Sequence, residues 1–83
     1  NAEILALEGL GWLAGDEDAL QRFLNLSGID ADALREGAGS PEMGVAVLDF
    51  LLADDELLLR FCESVGVSPK DLHLARHRLG GAV

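Results

Sequence analysis

Eighty-three residues, 49% of them hydrophobic, with fifteen acids against six bases and a formal charge of −9, describe one small acidic domain. That apolar content is too high for a disordered chain, and the bulk negative field repels nucleic acid and anionic membrane. Cys62 stands alone, which excludes an intramolecular disulfide, and the longest apolar run, Val45 to Ala53, is broken by Asp49 and is too short to cross a bilayer.

Turn and cap residues divide the chain into helices. Ala2 to Ala14 reads as a first helix carrying Ile4, Leu5, Leu7, Leu10, Trp12 and Leu13, closed by Gly15. Asp16 is an N-cap, and Glu17 and Asp18 suit the positive first turn of a second helix with Leu20, Phe23, Leu24 and Ser27 on one face. Gly28 supplies its left-handed stop. Asp30 caps a short third helix with Ala33 and Leu34, ending at Gly37 or Gly39.

Ser40-Pro41-Glu42 is a strong start for a fourth helix, Pro41 to Ala53, which is apolar nearly all round and so is expected at the centre. Asp54 caps a fifth helix with Leu58, Phe61, Cys62 and Val65 inward, stopped by Gly66. Ser68-Pro69 opens a sixth that runs to Gly80 or Gly81. The expectation is an all-α single domain over 1–83, a compact bundle of five or six short helices.

The chain also resembles itself when moved along by 38 positions. Asp16, Leu20, Arg22, Phe23, Gly28 and Leu34 fall on Asp54, Leu58, Arg60, Phe61, Gly66 and Leu72, while Leu10, Trp12 and Leu13 fall on Leu48, Phe50 and Leu51. We read a duplicated three-helix unit, approximately 3–39 and 41–81, whose two apolar helices pack together about a pseudo-twofold axis.

Charge is unevenly spread. Up to Leu59 there are thirteen acids against Arg22 and Arg35, whereas Arg60, Lys70, Arg76 and Arg78 outnumber Glu63 and Asp71 in the remainder. The segment from Leu58 to Ala75 has helix-turn-helix spacing, with small Cys62, turn Gly66 and cap Ser68, and the helix after the turn displays Lys70, His73, Arg76, His77 and Arg78. These bases are the candidate nucleic-acid contacts. Two helices joined by a glycine turn is the plainer account, because the first half repeats the turn with acids where bases would be needed, and the net charge opposes phosphate binding.

His73 and His77 stand one turn apart but have no third and fourth ligand near in sequence, so no metal is expected. Cys62 lies on the inward face of its helix and is expected to be a buried, inert thiol. No serine lies in a nucleophile elbow or in the Asp-Ser-Leu setting of an acyl carrier protein, and no glycine-rich loop follows a strand. We therefore expect no catalytic residue, no cofactor and no enzymatic activity. Trp12 and the 45–53 stretch are candidates for a partner surface, with burial in the chain's own core the favoured alternative.

The strings GLGWLAGDEDALQRFLNLSGIDADALR and VLDFLLADDELLLRFCESVGVSP resemble a family of small bacterial proteins, mainly alphaproteobacterial, that forms a domain of unknown function. Its most specific marks here are the Leu52-Ala53-Asp54 junction, the Arg-Phe pairs and the Gly-Ile and Gly-Val turns. The resemblance covers nearly the whole chain and implies an all-helical fold and a cytoplasmic bacterial origin, without an activity or a cofactor. No signal peptide is recognisable, and Asn1 in place of an initiator Met raises the expectation of a preceding segment. The function expected is a non-enzymatic protein-protein interaction module, binding a protein partner or itself. The alternative is a helix-turn-helix-like nucleic-acid-binding domain using 58–78 and the bases Lys70, His73, Arg76 and Arg78.

Overall fold

The structure, a computed structural model, describes residues 2–80. Six helices follow in order: α1 (Ala2–Ala14), α2 (Glu17–Ser27), α3 (Ala31–Glu36), α4 (Pro41–Leu52), α5 (Asp55–Val65) and α6 (Pro69–Leu79). No strand occurs among the described residues. Position 81, the second end considered for the sixth helix and for the repeat, lies outside the described residues, as do Asn1, Ala82 and Val83.

Local chemistry sets the boundaries. Asp16, Asp30, Ser40, Asp54 and Ser68 each accept a backbone N–H of the first turn they cap, and Ser68 forms a full capping box with Asp71. Gly28 and Gly66 close α2 and α5 at φ of 73° and 78°, a left-handed conformation that side chains with a Cβ rarely adopt. The third helix stops at its first glycine: Gly37 N–H reaches back to the Ala33 carbonyl.

The core forms around α4, as its apolar circumference requires. Met43, Gly44, Val47, Leu48, Phe50 and Leu51 are all buried, covered by α1 on one side and α6 on the other. The second helix buries Ala19 and Phe23, and Ser27 is exposed instead of facing inward. The fifth buries Leu57 as well as Leu58, Phe61 and Cys62. A radius of gyration of 11.5 Å matches the roughly 12 Å expected of a compact chain of this length.

The two halves exchange contacts. Arg22 donates to Asp54 at 2.8 Å, and Arg60 donates to Asp16 at 3.4 Å, so each cap aspartate receives the arginine of the other half. Trp12 meets Phe61 edge-on at 5.6 Å and Phe23 meets Phe50 at 5.4 Å, both with rings inclined at 67°. A methyl on Gly9 would lie 3.1 Å from Val47, and one on Gly44 would lie 3.1 Å from Ala6. Because contacts three residues apart on α1 meet residues three apart on α4 in the same order, the two helices run in the same direction where they touch.

Helices α3 and α6 differ in length and burial. The longer α6 buries Leu72 and Ala75 against α1 and α4, whereas α3 is half as long and buries no residue. Among the described residues the one α3 side chain that packs against the core is the half-buried Leu34.

Candidate interaction surface

An unusual feature of α1 is how little charge it carries. Only Glu3 and Glu8 interrupt its apolar circumference, and its buried residues are Ala6, Gly9 and Leu13. The remaining apolar side chains therefore point elsewhere. Ile4 is 56% exposed and Leu7 48% exposed. Across from Ile4, Leu74 on the outer face of α6 is 48% exposed.

Between these helices runs an open groove of about 310 Å³. Ala2, Ile4, Leu5 and Glu8 form one wall, and Asp71, Leu74, Ala75 and Arg78 form the other, with Val67 at one end. Leu5, Val67 and Ala75 are half-buried or buried and make an apolar floor. Glu8 and Arg78 stand at its rim as exposed charges without a salt bridge among the described residues. Asp71 is committed through one oxygen to the Ser68 N–H. A second hollow of about 40 Å³, where Leu7 meets residues 38–41 and Leu79, is too small to receive more than a water or two.

Lys70, His73, His77 and Arg78 are exposed on α6. Arg76 is drawn aside, donating from Nε to Asp49 at 2.7 Å and from a terminal nitrogen at 3.4 Å. That carboxylate holds the guanidinium proton more firmly than usual. Of the four candidate contacts Lys70, His73, Arg76 and Arg78, Arg76 alone is paired with a carboxylate among the described residues. Among the described residues no three histidine, cysteine, aspartate or glutamate side chains are grouped to hold a metal ion.

Cys62 is 7% exposed, and burial, then the negative charge of Asp71, push its thiol up from the ordinary range. A protonated, shielded sulfur is a poor nucleophile. Two residues earlier on the same helix, Arg60 lies 6.0 Å over the Trp12 ring. Trp12 is half-buried against Phe61, and the large apolar side chains of α4 are buried or half-buried, so neither supplies an exposed apolar face; large apolar side chains are exposed singly at Leu26 and Leu59, and at Ile4, Leu7 and Leu74 on α1 and α6. Single-helix periodicity hides the last group, because it joins residues at opposite ends of the chain. No helix among the described residues is long and apolar enough to cross a membrane.

The chain belongs to a family described as Protein of unknown function (DUF3572), which matches residues 1–82. No curated protein and no solved structure matches it.

Proposed function

We propose that this family member is a non-enzymatic module that binds another protein through the apolar face shared by α1 and α6. The observation that carries this reading is the placement of Ile4 and Leu74, two large apolar side chains about half exposed on opposite walls of one groove. Exposed apolar side chains are common singly, and what supports the reading is that these two line one groove together. A cytoplasmic bacterial location goes with this proposal, supported by a lone buried thiol that needs no oxidising compartment.

We further take the bundle as two copies of one three-helix unit. The exchanged Arg22–Asp54 and Arg60–Asp16 pairs and the matching Trp12–Phe61 and Phe50–Phe23 contacts support that view. The shortened α3 is then the copy that lost its covering role. Nucleic-acid binding through Lys70, His73, Arg76 and Arg78 is the rival, and Arg76 tied to Asp49 on a chain of charge −9 weighs against it.

The test is light scattering over a concentration series, with and without random duplex DNA at low salt, alongside affinity capture using wild-type and I4S/L74S baits. Retention of one protein, or self-association, that is lost in the double variant supports the module. A monomer that moves onto DNA and releases with added salt, or baits that behave alike, overturns it.

A further inference from the structure

We infer that the groove between α1 and α6 accepts a basic amphipathic helix of a partner protein, an inference that rests on the interaction-module reading above. Two packed helices leave a trough into which a third can lie, and the partner supplies apolar anchors at three-and-four spacing. Ile4 and Leu74 provide the opposing contacts, and Leu5, Val67 and Ala75 provide the floor.

Charge decides the sign of the occupant. At the rim Glu8 and Asp71 outnumber Arg78; Lys70, His73 and His77 stand exposed elsewhere on α6, and the chain as a whole carries −9. That field accelerates encounter with a cationic partner and opposes both a second copy of this chain and a nucleic acid. Lysines or arginines flanking the anchors meet Glu8 and the uncommitted oxygen of Asp71. Arg78 has no ion pair among the described residues, so it takes one carboxylate of the partner helix and fixes its direction. The apolar anchors hold the helix, and the charges select and orient it.

Three synthetic peptides test this against isotope-labelled protein by amide chemical-shift titration. One places leucines at helical spacing with lysines elsewhere, a second shuffles that composition to destroy the apolar face, and a third replaces lysine by glutamate. The expected result is saturable binding of the first alone, with shifts concentrated at Ile4, Leu5, Val67 and Leu74. Leu74→Ser removes an anchor and weakens binding roughly tenfold or more. Glu8→Lys weakens it as well and makes it less sensitive to salt. Both positions are exposed, and an unchanged thermal melt shows that the variants remain folded.

Equal binding of the glutamate peptide, or lysine-peptide shifts spread over α2 and α3 and indifferent to Leu74→Ser, overturns the inference. Self-association that depends on Ile4 and Leu74, with no peptide binding, also overturns it while leaving the interaction-module reading intact.

Discussion

Two glycines on α1, two positions apart, allow the packing of α1 on α4 to be weighed directly. Alanine is favoured over glycine within a helix by about 1 kcal/mol, so Gly9→Ala and Gly11→Ala begin with the same gain. A methyl on Gly11 meets nothing within 4 Å. One on Gly9 would lie 3.1 Å from Val47 Cγ1, 3.3 Å from Leu51 Cδ1 and 3.9 Å from Phe61 Cζ. Those three side chains are 1%, 0% and 0% exposed and have nowhere to retreat. Overpacking of a filled core costs about 1–3 kcal/mol. Gly11→Ala should therefore stabilise by up to about 1 kcal/mol, and Gly9→Ala should range from neutral to about 2 kcal/mol destabilising.

Urea unfolding followed by helical circular dichroism measures both, and the difference between the variants cancels helix propensity and isolates the α1–α4 contact. In a thermal melt each 1 kcal/mol moves the midpoint by about 4–8 °C for a domain of this size. Equal stabilisation by the two substitutions would refute the close approach of α1 to α4.

Two predictions concern pH. The Cys62 thiol is raised by burial and by Asp71, so the unfolded chain loses this proton first, and the associated stability is intact below about 8.5 and declines as pH rises beyond it. Cys62→Ala should flatten the alkaline fall of the urea midpoint; curves that superimpose would show that the thiol is not shielded. The Asp54 carboxyl is held below its usual range, first by the Arg22 hydrogen bond and then by the Leu57 N–H. Its contribution is present above the ordinary carboxylate value of about 3.9 and is lost as pH falls through the lowered one. Arg22→Gln should move the carboxyl titration seen by NMR upward, and an unmoved titration would mean that the pair at 2.8 Å does not persist in solution.

The helix boundaries were legible because each is written in a few adjacent residues. Asp16 and Asp54, Ser40-Pro41 and Ser68-Pro69, and Gly28 and Gly66 supply acceptors, a preset φ or a left-handed stop without help from the rest of the chain. The inward faces were legible only in part. Helical spacing gives a stripe, but Ala19 and Leu57 are drawn in, and Ser27 is left out, by the rotation of α2 and α5 against neighbours that the spacing does not specify. The candidate site was the least legible. Arg76 reads as a surface base until Asp49, 27 positions earlier, is brought beside it. Ile4 and Leu74 become opposite walls only when the first and last helices meet. The sparse charge around α1 was the available signal, and it marks a helix with apolar faces to spare without saying which stays open.

The covering role of α6 has a consequence for synthesis. The helices α1 and α4 meet each other directly, and α6 packs on both. In chain order α6 follows the other described helices, so the contacts that bury Leu72 and Ala75 form only after it is synthesised. Closure of this core therefore waits on α6, and an incomplete bundle exposes apolar surface of the kind that favours aggregation.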